Sequence, residues 1–151
     1  MGLVWSGAST HKNDFYRSIP LSQFISALPS GIEYICLQNE IREADQKLLN
    51  RFEGIKNVSS SIKDFSDTAA ICDLVDLVIS VDTSVAHLSA TIGRPTWLLL
   101  PHNADWRWLA NRGDSPWYSS LKIYRQPKLG DWGPVLEQVH ADLIDFQNKN
   151  I

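Results

Sequence analysis

The chain has 151 residues, 44% of them hydrophobic, and a formal net charge of −3, which fits one domain with its own core. The slight acidity excludes the basic footprint of a general nucleic-acid binder, and no apolar run reaches the roughly 20 residues needed to span a bilayer. Met1 leads into a strand pattern with no basic segment or long apolar stretch, so no secretory leader is expected; Cys36 and Cys72 read as reduced, buried thiols of a cytoplasmic protein.

In chain order, Gly2–Gly7 reads as a short buried strand, followed by a polar loop, Ala8–Arg17. Ser18–Pro29 has helical spacing at Leu21, Phe24, Ile25 and Leu28, with Ser18 placed to cap and Pro20 in the first turn. A second strand is expected at Glu33–Gln38, a polar helix at Glu40–Phe52 and a third strand around Val58. Ser66–Val75 reads as a helix with a capping serine. The fourth strand, "DLVISV", runs into the helix "TSVAHLSATIG", closed by Gly93, and then into the fifth strand, "PTWLLLP". Val85 and Leu88 are expected to face the sheet. Asp105 caps a short helix, "WRWLA"; a sixth strand is centred on Ile123; and "GPVLEQVHADLIDFQ" forms the last helix, with Val135, Val139, Leu143 and Phe146 on one face.

Alternating strands and helices predict an α/β fold, a Rossmann-like, open and mostly parallel sheet with helices on both faces. The unbroken apolar runs in strands four and five agree, because strands covered on both sides need no polar face. The expected order is 3-2-1-4-5-6, which sets strands one and four side by side where the order reverses. Ligands of such sheets bind in the crevice at the carboxyl ends of those strands.

Asp82, Thr83, Ser84 and His87 stand at that end of strand four. The start of the following helix offers free N–H groups and the positive end of its dipole to an anion. His87, four residues after Thr83, shares a helix face with it. The alternative is a plain cap and a hydrogen-bonded core histidine. The loop after strand one carries His11, Lys12 and Arg17, of which Arg17 is best placed to reach a diphosphate; as a loop side chain, it is expected to matter little for stability. After strand five, Asp105, Arg107 and three tryptophans including Trp106 stand on the same side of the sheet. They suit either packing against a sugar or base, or a small satellite core. There is no G-x-G-x-x-G after strand one, which disfavours a nicotinamide or flavin cofactor, and there is no phosphate-binding G-x-x-x-x-G-K-[ST] loop, no G-x-S-x-G and no metal-spaced Cys/His cluster.

The segments "HKNDFYRSIPL", "DFSDTAAICDLVDLVISVDTSVAHLSATIGRPTWLLLP", "DWRW", "DSPWY" and "GDW" together resemble the C-terminal glycosyltransferase-like domain of bacterial tetratricopeptide-repeat proteins. That domain is related to the donor half of heptosyltransferases and, distantly, of O-linked N-acetylglucosamine transferases. The resemblance covers most of the chain and is weakest from Ile41 to Ser61. It implies the C-terminal half of a GT-B fold, a single donor domain over residues 1–151 that binds a nucleotide-diphosphate sugar without a metal. The N-terminal half, with the acceptor site, would lie outside this chain, and a tetratricopeptide-repeat region is the expected neighbour in a full-length protein. Asp82, Thr83, Ser84 and His87 correspond to the relatives' D-T-G-x-x-H motif, with Ser84 in place of its glycine. Arg17 falls where the relatives carry a basic residue on the diphosphate, and Gln38 is a weaker candidate for the base or ribose. The expected activity is glycosyl transfer to an unknown acceptor once the missing half is joined; the rival expectation is a non-catalytic nucleotide-binding or protein-interaction module.

Overall fold

The computed structural model describes residues 1–149. Six strands form one all-parallel sheet: β1 Gly2–Val4, β2 Tyr34–Cys36, β3 Ile55–Asn57, β4 Val78–Val81, β5 Thr96–Leu100 and β6 Leu121–Arg125. Their order is β3-β2-β1-β4-β5-β6, as the sequence predicts. Leu3 pairs with Cys36 on one side and Ile79 on the other, so β1 and β4 are neighbours at the reversal point.

Every residue of β4 and β5 is buried, and the two-residue period divides them between two layers. Ile79, Val81, Trp97 and Leu99 join a core completed by α2 (Leu21–Phe24), α3 (Glu43–Leu49) and α6 (Gly133–Lys149). On the other face Val78 packs with Cys72 and Val85, and Leu98 and Leu100 pack with Ala86 and Ala90. These partners come from α4 (Phe65–Leu74) and α5 (Ser84–Thr91). The two cysteines are free and buried, and burial pushes both thiols up to about 11. Among the described residues no helix is long and apolar enough to cross a membrane.

Several local expectations are corrected. The first loop contains a one-turn helix, α1 (Asp14–Arg17). Ser18 does not cap α2: its hydroxyl donates to Asp14 Oδ1 at 2.9 Å and accepts the Gly7 N–H at 3.0 Å. The orphan N–H of Leu21 is met from α3 instead, by Asp45 Oδ1 at 3.1 Å, while Asp45 Oδ2 accepts the Trp5 indole N–H at 3.0 Å. Asp64, not Ser66, caps α4, accepting the Ser66 and Asp67 N–H groups. β3 precedes Val58 rather than centring on it. On α5, Val85, Ala86, Ser89 and Ala90 are buried, while Leu88 is only half-buried because the buried arc lies one position off the expected one. Gly93 closes α5 at φ +79°, with Arg94 N–H bonded back to the Ser89 carbonyl, the left-handed stop expected of that glycine.

The β6 side of the sheet is partly covered. The Ile123 N–H bonds to the Gly113 carbonyl at 2.7 Å, and Asp114 makes an antiparallel bridge with Lys122.

Candidate functional site

The carboxyl ends of β1, β4 and β5 open into a cavity of about 650 Å³, within the usual size range of small-molecule sites. His11, Asn13, Tyr16 and Arg17 line it from the segment after β1; Asp82, Thr83, Ser84 and His87 from the end of β4 and the first turn of α5; and Asn103, Asp105 and Arg107 from the segment after β5. Six expected candidates therefore converge on one space: Arg17, Asp82, Thr83, Ser84, His87 and Asp105. Lys12 and Trp106 are exposed and do not line it. Gln38 is also elsewhere and only 2% exposed. Its amide oxygen accepts the Trp5 and Ser6 N–H groups, both at 2.8 Å, and its NH2 donates to Ser6 Oγ and the Glu40 carbonyl. Those bonds saturate the side chain, and Gln38 ties the end of β1 to the chain after β2.

Arg17 is not a free loop charge. Its side chain is 15% exposed. Nη1 donates to the Asp82 carbonyl at 2.7 Å, and Nε approaches Asp14 Oδ1 at 3.4 Å. A Cβ on Gly7 would lie 2.3 Å from Arg17 Nη2, so the guanidinium occupies the space that the glycine leaves open. Arg17 thus links the two central strand ends while facing the cavity. Asp14 is buried and shared, taking Arg42 and Ser18 as well as Arg17. Two guanidiniums therefore share one carboxylate.

Beside Arg17, Thr83 holds the extended N-cap position of α5 with no side-chain cap bond; its hydroxyl lies 3.1 Å from Ser80 Oγ. The first-turn N–H groups therefore lack a capping side chain, and Ser84 is exposed to the cavity. Guanidinium and helix start make an anion-favouring half.

The other half is a packed polar group. Asp82 Oδ2 accepts the Trp108 indole N–H at 3.0 Å, and Asp82 Oδ1 lies 3.9 Å from His87 Nε2. The imidazole stacks on Trp108, with ring centres 5.0 Å apart and planes at 25°. Its Nδ1 is 3.0 Å from the Tyr118 hydroxyl. Burial lowers the His87 pKa below its ordinary value, opposed by Asp82 and assisted by Arg107, so the ring is neutral at pH 7. At the rim Asp105 accepts both the backbone N–H and Nε of Arg107, at 3.1 and 2.8 Å; the backbone bond is the main cause holding its carboxyl below the usual range. Asp105 also caps the 3-10 turn Trp106–Trp108, as expected from the sequence.

The three tryptophans of the segment after β5 differ in burial. Trp108 is fully buried in the satellite core with Leu98 and Leu100, whereas Trp106 and Trp117 are 77% and 61% exposed. Sequence reasoning singled out neither Gly7 nor Tyr118 as part of the site. A glycine ending a strand before a basic loop is a weak signal for the first; nothing local marks a tyrosine 31 positions after the histidine it bonds.

The chain is 32% identical, over 155 aligned positions, to protein FlbA of Caulobacter vibrioides. The alignment takes in 97% of this chain and 25% of that protein, so the chain spans about a quarter of the length of the curated relative it matches. No protein-family model matches the chain, and no solved structure does.

Proposed function

We propose that this chain is the donor-binding domain of a glycosyltransferase and that its cavity holds a nucleotide-diphosphate sugar. The observation that carries the reading is the Arg17 guanidinium set beside the uncapped start of α5, at the reversal point of a parallel sheet. In this reading the diphosphate lies against Arg17, Ser84 and the first-turn N–H groups, where guanidinium and helix dipole both favour negative charge. The sugar lies toward Asp82, His87 and the Asp105–Arg107 pair, which offer acceptors and donors for hydroxyl groups. As the glycosyl bond breaks, charge builds on the leaving diphosphate, and preformed donors that need no reorganisation stabilise it. In this reading the acceptor, of unknown identity, and the base that activates it are held by an N-terminal half outside this chain, with a tetratricopeptide-repeat region as a further part of the full-length protein.

The exposed Phe15, Trp106 and Trp117 favour a second reading, a nucleotide-binding or interaction module without catalysis. Calorimetric titration with UDP, ADP and GDP tests the common part. Binding of at least one, lost on raising the salt or on replacing Arg17, supports a diphosphate site. No heat with any of the three at millimolar concentration overturns it. Turnover of a nucleotide sugar by the longer parent protein then separates transferase from binder.

A further inference from the structure

We propose that Tyr118 is a positioning residue that donates its hydroxyl proton to His87 Nδ1, fixing the imidazole as the Nε2–H tautomer so that the ring offers the cavity a neutral N–H donor. A neutral imidazole carries one proton, and the hydrogen bond at one nitrogen decides where it sits. Two arrangements satisfy the 3.0 Å contact between Nδ1 and the Tyr118 hydroxyl. With the proton on Nδ1, the ring donates to the tyrosine oxygen and turns the Nε2 lone pair toward Asp82 Oδ1, 3.9 Å away. That sets a lone pair against a carboxylate, which repels. With the proton on Nε2, Tyr118 donates to Nδ1 and the N–H dipole points at the carboxylate, which attracts.

The surroundings hold the ring to this choice. Trp108 covers one face of the imidazole and donates its own N–H to Asp82 Oδ2, leaving Oδ1 toward the histidine. Tyr118 meets the ring edge-on, at 5.8 Å and 65°. The remaining charged neighbours, Asp105 and Arg107, are paired with each other at 2.8 Å and so give little net field at the ring. At 3.9 Å the Nε2–H is too far from Asp82 for a good hydrogen bond, so it stays free to bond a ligand oxygen. Burial disfavours the cationic ring, and with the proton on Nε2 and the Nδ1 lone pair engaged by Tyr118, His87 offers the cavity a donor and no basic lone pair. This inference rests on the proposed site only for the identity of the ligand; the tautomer belongs to the protein alone.

The experiment is nitrogen-15 NMR of the histidine rings at pH 7.5, with the His87 signals assigned by their disappearance in His87→Gln. Nε2 in the protonated range and Nδ1 in the lone-pair range is the expected result. Tyr118→Phe is expected to bring both shifts toward the average of exchanging tautomers and to weaken UDP binding about five- to tenfold, the loss of roughly one hydrogen bond's worth of orientation. A protonated Nδ1 in the wild type, or wild-type shifts retained in Tyr118→Phe, overturns the proposal. Should Tyr118→Phe not fold, the wild-type spectrum decides the tautomer, and the Tyr118 hydroxyl proton, seen coupled to Nδ1 across the hydrogen bond or absent there, decides the donor. If wild-type protein does not bind UDP, the ligand reading falls while the ring spectrum still decides the tautomer.

Discussion

Replacing Arg17 with alanine should lower both stability and nucleotide affinity, by amounts that can be worked out separately. The guanidinium gives the Asp82 carbonyl a charge-assisted bond of 2.7 Å and is mostly buried. Hydrogen bonds to charged groups contribute about 1.5–3 kcal/mol. Water from the open cavity can reach the abandoned carbonyl, and Asp14 keeps Arg42 and Ser18, so the loss should fall at about 1–2 kcal/mol. For a domain of this length each kcal/mol shifts Tm by roughly 2–4 °C, giving a drop of about 2–8 °C. This revises the sequence-based expectation of nearly unchanged stability, because the side chain bridges two strand ends instead of standing in solvent. Losing the same charge opposite a diphosphate should weaken UDP binding by about 1.5–3 kcal/mol, or roughly 10- to 150-fold. Scanning calorimetry without ligand and isothermal titration with UDP read the two effects. Gly7→Ala is the companion variant: the new methyl group displaces the guanidinium but keeps its charge, so affinity should fall less than in Arg17→Ala. A lowered Tm with unchanged UDP affinity in Arg17→Ala would refute the assignment and leave Arg17 a structural strap.

Gln38→Leu should destabilise the fold by about 2–4 kcal/mol, because the Trp5 and Ser6 N–H groups lose their acceptor in a buried place, while the folded variant keeps wild-type UDP affinity; urea unfolding followed by titration checks both. The lowered His87 pKa makes a signed prediction. The unfolded chain binds the proton more readily than the native one, so this contribution is complete above the ordinary histidine value of 6.5 and is lost as pH falls through and below it. Urea midpoints at pH 7.5 and 5.5 should therefore fall further for wild type than for His87→Gln, and an equal fall in both would count against a depressed pKa.

The strand order and the place of the cavity were legible because they depend on long-wavelength features. "LVISV" and "WLLL" lack alternation, and only strands covered on both faces can be built that way. The polar run from Asp82 to His87 is then forced to the carboxyl end of β4, where the reversal makes a crevice. Caps were less legible. Asp64 and Ser66 are both good N-cap residues, and only the backbone geometry decides which of them takes the N-cap position. Least legible were side chains whose partners are distant in sequence. Gln38 looked free until its oxygen was found on Trp5 and Ser6, 33 and 32 positions back. Arg17 reaches the Asp82 carbonyl across 65 positions. Spacing along a chain predicts which face a residue takes, but not which far-off backbone group its side chain will meet.

The short segment beside β6 has consequences for how this sheet can associate. An outer strand with open N–H and C=O groups is a template for another chain. On the β6 side the Gly113 carbonyl and the Asp114–Lys122 bridge already occupy part of that template. The opposite margin, β3, is only three residues long and carries the exposed Lys56, both features that discourage edge-to-edge growth. The guard on β6 also continues into the cavity wall. Arg125 Nη2 bonds the Trp108 and Leu109 carbonyls, and Trp108 carries Asp82. Loosening that segment would therefore expose a sticky margin and unseat the floor beneath His87 together, coupling resistance to aggregation to the shape of the site.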